Sequence, residues 1–275
     1  MSRFTVLGAG GFIGRRLVLH LRAAGHEVLA VERAGLKGFL AGRFPAGHVI
    51  DCIGLTGDFR ERRPETAEAH VGVVATALAR DRMASFLLLS STRVYARAAS
   101  TREETELVVA PMVAGDVYNI TKLAGEALCL GDPRAEVRVA RLSNVYGAGM
   151  GPHCFLGQVL TQGRLTGQVS LEQGLMSSKD YVAVDEVVAL LEGIALCGRR
   201  RLYNVAVGAN TTHDAIAVAL AQAMGWRMTA VEGAATVRYP RIDTTRIRAE
   251  FRTPLRSLLD DLPALAAAQR QEVAC

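Results

Sequence analysis

Tyr118 and Lys122 stand four residues apart in the segment YNITK. On a helix, positions i and i+4 project side by side. A free phenol, with a pKa near 10, is a poor proton acceptor at neutral pH. A neighbouring positive charge stabilises the phenolate and lowers that pKa. Each unit of lowering needs only about 1.4 kcal/mol of differential interaction. A phenol tuned in this way can serve as a general acid/base. The same pair could equally decorate a solvent face, so its use depends on a bound dinucleotide and a third polar group.

Both are present in the sequence. The stretch LLLSSTRVY puts Ser90 and Ser91 at the C-terminal end of an apolar strand, where open α/β sheets build their sites. Either hydroxyl could hydrogen-bond a reacting oxygen. The stretch VLGAGGFIG carries Gly8, Gly11 and Gly14 between a strand and a helix, the context a diphosphate loop requires. Gly8 permits the tight turn, Gly11 lets backbone N–H groups approach the phosphates, and Gly14 lets the helix pack closely. Phe12 and Ile13 lie within this loop and are assigned to the cofactor site with it; Ile13 takes the third-glycine place of the GxGxxG register. The helix N-terminus then faces the diphosphate with its positive dipole end. Glu32 closes the second strand, eighteen residues beyond Gly14. A carboxylate there accepts hydrogen bonds from the adenosine ribose and repels a 2′-phosphate, which favours NAD. Arg33 follows directly and keeps NADP open.

These residues need a scaffold of alternating strands and helices. Strands are predicted at 3–8, 27–32, 48–54, 85–91 and 136–142, and helices at 12–24, 66–82 and 116–130. About fifteen residues separate the second and third strands, so that crossover is predicted to be minimal. Near-continuous apolar strands separated by helices imply a parallel sheet covered on both faces. Right-handed crossovers make it doubly wound, a Rossmann-type α/β fold. After Gly151 the rhythm changes. A helix over 152–163 leads into polar, loop-like sequence up to Lys179. A helix starting near Asp185, a strand over 201–207, an amphipathic helix over 212–224 and helical fragments complete the chain. The reading is a dinucleotide-binding domain at 1–148 and 181–207, with a small, partly helical C-terminal substrate lobe from 149–180 and 208–275.

The chain has 275 residues, half of them hydrophobic and 21% charged, as suits a soluble globular protein. No apolar run is long enough to span a bilayer, and the N-terminus lacks a signal peptide's apolar core and cleavage site. A cytoplasmic protein without a membrane partner is expected. Cys52, Cys129, Cys154, Cys197 and Cys275 are odd in number and widely spaced. They suggest neither a disulfide framework nor a metal site, and most are expected to be buried. The net charge is +5, and the densest basic run, GRRR at 198–201, reads as a solvated loop rather than a nucleic-acid patch. A mildly basic surface helps attract anionic small molecules.

The ordered set GAGGFIG, SSTRVY, YNITKLAGE, RLSNVYGAG, KDYVAVDEVV and LYNVAVG resembles the extended short-chain dehydrogenases/reductases, of the NAD-dependent epimerase/dehydratase family. The resemblance covers nearly the whole chain. It selects Ser91, four residues before Tyr95, over Ser90 as the catalytic hydroxyl. It implies Tyr118 as the acid/base and Lys122 as the residue that holds the nicotinamide ribose. Ser90 is grouped with the cofactor residues. Ile53, Gly54 and Leu55 would run beside the adenosine half. Val145 would pass under the nicotinamide, with Asn144 near the substrate. Lys179 stands where relatives often carry a phosphate-contacting Arg; it keeps the charge without the bidentate fork. Ser91, Thr92 and Tyr118 complete the substrate-facing set. The implied partner is a nucleotide sugar, and a homodimer through the helix of Tyr118 is expected.

The departures are equally informative. Thr92 and Arg93 stand where sugar-nucleotide 4,6-dehydratases carry Asp and Glu, so dehydration is not expected. His70 stands where an Asn is common and reads as a packing or hydrogen-bonding substitute. The expected activity is oxidation and reduction at an alcohol/carbonyl centre, ending in epimerisation or in ketone reduction. The alternatives are a ketoreductase of a small molecule without a nucleotide, motivated by the compact second lobe, and a dinucleotide-binding sensor without turnover.

Overall fold

Apolar strands that alternate with helices can hide both faces only inside a three-layer stack, and the chain builds one. The structure is a computed structural model and describes residues 1–271 apart from Thr56, Asp81, Thr253 and Pro254. Strands β1 (Arg3–Leu7), β2 (Glu27–Val31), β3 (Gly47–Asp51), β4 (Met83–Ser91), β5 (Val137–Leu142) and β9 (Leu202–Val205) form one sheet in the order β2-β1-β3-β4-β5-β9. Every pairing in it is parallel. The chain moves outward from β1 to β2, then crosses back to place β3 on the other side of β1. The winding therefore reverses between β1 and β3, the place where such sheets open a crevice at their C-terminal ends. The glycine loop leaves β1 there, residues 52–55 leave β3, and Ser91 ends β4.

Helices α1 (Phe12–Ala23) and α7 (Val184–Cys197) cover one face, packing Leu17, Leu21, Val187 and Leu191 onto Phe4, Val6, Ile50 and Leu89. The other face is covered by α2 (Arg33–Leu40), α4 (Val73–Leu78) and α5 (Asp116–Gly131). Phe39, Val74, Ala77 and Cys129 of these helices meet Leu7, Val49, Phe86 and Leu88. The short helix α3 (Arg63–Ala67) runs into α4 through one π turn, Glu68–Gly72. That turn lies against α5 so closely that a side chain on Gly125 would come within 2.4 Å of the His70 carbonyl oxygen. Glycine at 125 is thus what lets α5 reach the sheet.

A second lobe has its own core. Strands β6 (Asn144–Tyr146), β8 (Ser178–Ala183) and β10 (Asn210–Thr212) form a small sheet, and β7 (Gln168–Leu171) pairs in parallel with β11 (Arg227–Ala230). Around them pack α6 (Phe155–Thr166), α8 (His213–Met224) and α10 (Leu258–Gln271), with Leu160, Leu220, Trp226 and Leu262 buried together. The remaining helix, α9 (Thr245–Glu250), lies by β9.

Several expectations need correction. The short crossover between β2 and β3 holds an unpredicted helix, α2, because Leu36, Phe39 and Leu40 give its eight residues an apolar side that packs on the sheet. The segment before Lys179 is not loop throughout: β7 lies within it, and β8 begins at Ser178. Strand β11 also went unrecognised; both strands of its pair are four residues long and gain their pairing only from each other. The cysteines are less buried than expected. Cys129 is buried, whereas Cys154 and Cys197 are exposed at the ends of α6 and α7; Cys275 lies outside the described residues.

Beneath β4 and β5 sits a buried ionic knot. Glu126 on α5 accepts hydrogen bonds from Arg141 Nη2 at 2.6 Å and Nε at 3.0 Å, and from the Ser90 hydroxyl at 2.5 Å. Arg141 also donates to the Tyr95 hydroxyl at 2.7 Å. Removing one member leaves an uncompensated buried charge, which typically costs about 3–5 kcal/mol. Glu126→Ala is therefore expected to lose about that much in urea unfolding, and the double change Glu126→Leu with Arg141→Leu to lose clearly less.

Candidate active site

The glycine loop is a cradle that side chains would fill. Gly8 has φ +72°, and a side chain on Gly14 would meet the Gly8 carbonyl oxygen at 2.2 Å. A side chain on Gly11 would stand 3.3 Å from the same oxygen. Helix α1 starts at this loop with neither a side-chain cap nor an acidic residue in its first turn, so its free N–H groups are open to an anion. The Glu32 carboxyl carbon lies 3.6 Å from where a side chain on Gly10 would begin. The exposed Glu32 thus overhangs the loop, with the exposed Arg33 beside it at the start of α2. Phe12 packs against both hydrophobic cores, and Ile13 and Val145 against that of the larger domain. These features fit a dinucleotide.

Ser91, Tyr118 and Lys122 come together at the crevice. Ser91 ends β4 and, as N-cap of the 3₁₀ turn Thr92–Tyr95, accepts the Arg93 N–H at 3.2 Å. Its hydroxyl lies close enough to the Tyr118 phenol to lower that group's pKa. Burial pushes the Tyr118 pKa up, while the Ser91 hydroxyl and the Arg93 charge oppose the rise. The Tyr118 ring is flanked by Phe59 at 5.2 Å and by the edge of His70 at 5.3 Å between ring centroids.

Lys122 does not serve Tyr118 in the way the i, i+4 spacing suggests. Its ammonium lies 6.0 Å from the phenol ring centroid and donates to the Leu89 carbonyl at 2.9 Å. The stem turns toward the sheet, where the carboxylates of Asp51 and Glu126 attract the charge. Burial brings its pKa down to about 8 against that attraction. A second cation, Arg93, stands 5.4 Å from the Tyr118 ring centroid and lowers its pKa; in the sequence this residue serves only to argue against dehydration.

Ser90 also departs from expectation. Successive strand residues face opposite sides, and its hydroxyl is committed to Glu126 rather than to the crevice. Among the remaining expected residues, Gly54 touches Lys122: a side chain there would lie 3.4 Å from both Lys122 Nζ and His70 Nε2. Ile53 contacts the Gly8 turn and donates its N–H to Asp51 at 2.9 Å; Leu55 follows, half-buried. Thr92 opens the 3₁₀ turn beside Ser91. Asn144 is exposed at the start of β6 and donates to the Asp180 carbonyl at 2.8 Å. Lys179 reaches the same cleft from the second lobe, its ammonium 4.8 Å from the Phe155 ring centroid.

Three residues gain importance only in three dimensions. Asp51 is fully buried at the end of β3, one carboxyl oxygen has no protein partner, and burial pushes its pKa up to about 6. Asp180 accepts the N–H groups of Val207, Gly208 and Ala209 at 3.1, 2.6 and 3.0 Å, tying the two lobes together. His70 is 1% exposed in the π turn, with Nδ1 2.8 Å from the Thr121 hydroxyl. That hydroxyl also reaches the Val117 carbonyl at 2.8 Å, and His70 Nε2, without a protein partner, lies toward the Lys122 side of Gly54. The only sequence signal for His70 is its place where relatives commonly carry an Asn, which says nothing of contact with α5.

The sequence model of the NAD dependent epimerase/dehydratase family matches residues 4–206, and the chain belongs to that family. A curated relative from Streptomyces griseus, a dTDP-glucose 4,6-dehydratase, is 26% identical, with 97% of this chain and 93% of the relative covered. The expectation against dehydration finds no support in that comparison. Among solved structures, MoeE5 in complex with UDP-glucose and NAD superposes with a TM-score of 0.82 at 21% identity, covering 98% of this chain and 99% of that one. RMD from Pseudomonas aeruginosa, complexed with NADPH, gives 0.83 at 22% identity, covering 99% of this chain and all of the other. At these identities the superpositions establish the shared fold.

The buried histidine gives a test of the geometry. Burial, helped by the Lys122 charge, holds the His70 pKa down at about 3 against an ordinary 6.5. The folded state then binds fewer protons than the unfolded one between these values, so stability is lost as pH falls through that window. At pH 5 the loss should be on the order of 2 kcal/mol. His70→Asn should remove it. Urea unfolding at pH 7 and pH 5 should therefore show the variant gaining on the wild type at the lower pH, whatever Asp51 contributes in both.

Proposed function

We propose that this chain is an NAD-dependent oxidoreductase or epimerase acting at an alcohol/carbonyl centre of a nucleotide sugar, with Ser91, Tyr118 and Lys122 as its working residues. The single observation that carries the reading is the approach of Ser91, at the C-terminal end of β4, to Tyr118 on α5, with Lys122 on the next turn of that helix. Gly8, Gly11, Phe12, Ile13 and Gly14 would hold the diphosphate. Glu32 and Arg33 would meet the adenosine ribose, Ile53, Gly54 and Leu55 the rest of the adenosine half, Lys122 the nicotinamide ribose, and Val145 the nicotinamide ring. The bound nicotinamide supplies a hydride acceptor and donor. Tyr118 takes the hydroxyl proton as the substrate carbon is oxidised and returns it when the carbonyl is reduced. Ser91 holds the reacting oxygen. Thr92 and Asn144 line the substrate position, and Lys179 reaches in from a substrate lobe formed by residues 149–180 and 208–275.

Three measurements test this. Tyr118→Phe should lower kcat by roughly 10²–10⁴ while leaving the NADH dissociation constant within about twofold. A sensor without turnover would have no rate to lose. NADH should bind more tightly than NADPH, and Glu32→Ala should narrow the gap; a wild type that prefers NADPH would remove Glu32 from the ribose. Tight NADH binding without measurable affinity for UDP, GDP or dTDP would move the substrate away from nucleotide sugars.

A further inference from the structure

Two guanidinium groups converge beside the phenol. Arg93 lies over the Tyr118 ring at 5.4 Å and over the Phe59 ring at 5.1 Å, and Arg60 lies over Phe59 at 4.7 Å. Both also flank Gly115: a side chain there would stand 3.5 Å from Arg93 Nη2 and 3.6 Å from Arg60 Nη2. Like charges gathered around one aromatic ring repel each other unless an anion joins them. The nearby carboxylates are engaged elsewhere, Asp58 and Glu65 with Arg62, and Asp116 with Arg97. Among the described residues no carboxylate pairs with Arg60 or Arg93. Arg93 uses one of its five N–H donors on protein, in a long 3.4 Å contact with the Gly115 carbonyl. Its other donors are left in the half-buried cleft, next to the residues proposed to touch the reacting oxygen.

We infer that Arg93, seconded by Arg60, is a specificity residue that binds a carboxylate carried by the substrate beside the carbon that reacts, so that the substrate class is a nucleotide-linked uronic acid rather than a neutral hexose. The inference rests on the reading under Proposed function and deepens it. A planar guanidinium matches a carboxylate with paired hydrogen bonds. The two anions of such a substrate would then be met separately. Lys179, held among Phe155 and Tyr239 on the second lobe, would face the diphosphate. Arg93, on the same short turn as Ser91, would face the sugar ring at the far side of the reacting carbon. Stacking on two rings holds the guanidinium in place before the ligand arrives, which lowers the ordering cost of binding.

The test uses the full chain with NADH bound and measures dissociation constants by titration calorimetry for matched pairs, UDP-, dTDP- and GDP-hexose against the hexuronate of the same base. For at least one base the hexuronate should bind roughly ten- to a hundredfold more tightly. Arg93→Gln should bring the pair to parity without changing NADH affinity. Arg93→Lys should retain part of the preference, and Arg60→Gln should reduce it by a smaller factor. Equal or better binding of the neutral hexose by the wild type overturns the inference and leaves the nucleotide-sugar reading standing. A preference that survives in Arg93→Gln overturns the role of this residue, as does a variant that alters only the pH profile of turnover. If none of the six ligands binds while NADH does, the nucleotide-sugar reading itself falls, and the carboxylate with it.

Discussion

A lysine ammonium and a tyrosine phenol are buried one turn apart on α5, and the surrounding structure has to accommodate both. Moving an ammonium out of water is costly by several kcal/mol unless dipoles and opposite charges replace the lost hydration. Here the Leu89 carbonyl, at the C-terminal end of β4, supplies a hydrogen bond. The carboxylates of Asp51 and Glu126 supply attraction. That arrangement requires the C-terminal ends of β3 and β4 to meet the first two turns of α5, and the close approach of α5 depends on Gly125 facing the His70 carbonyl. The position of the phenol at the crevice follows from the same packing.

The charges divide into two layers about the Tyr118 ring. Below it, toward the sheet, lie Lys122, the buried Asp51 and the bare Nε2 of His70, in surroundings dry enough to shift all three pKa values. Beside it, toward the cleft, lies Arg93, whose charge acts on the phenol and also on Lys179. The lower layer suits a proton carrier that must stay isolated from water. The cleft layer is an excess of positive charge facing the space where a substrate would sit. Low dielectric strengthens the effect of both layers.

A buried carboxylate ties the second lobe to the first, beside the apolar packing of Val145 and Val182 on the large core. Asp180 receives three consecutive N–H groups from residues 207–209, at the point where the chain passes from the large sheet into the small one. Asn144, on the neighbouring strand, donates to the carbonyl of the same residue. Lys179 is adjacent in sequence and is therefore carried on the element that joins the lobes. Its place over Phe155 and near Tyr239 then follows from the packing of the small sheet against α6.

The alternation of apolar strands and helices, the glycine spacing and the i, i+4 pair were legible in the sequence because each is a local pattern with a local cause. They were enough for the parallel fold and for the convergence of the glycine loop, Ser91 and Tyr118. Strands β7 and β11 were not legible, since four-residue strands owe their existence to a partner distant in the chain. Periodicity put Lys122 beside Tyr118 but could not say which way its long stem would turn. Nor could it tell that Ser90 and Ser91 divide between a buried ionic knot and the crevice, or that Arg93 and Arg60, thirty-three residues apart, would meet over one phenylalanine. Those outcomes depend on the electrostatic field and packing of residues brought together only by the folded chain.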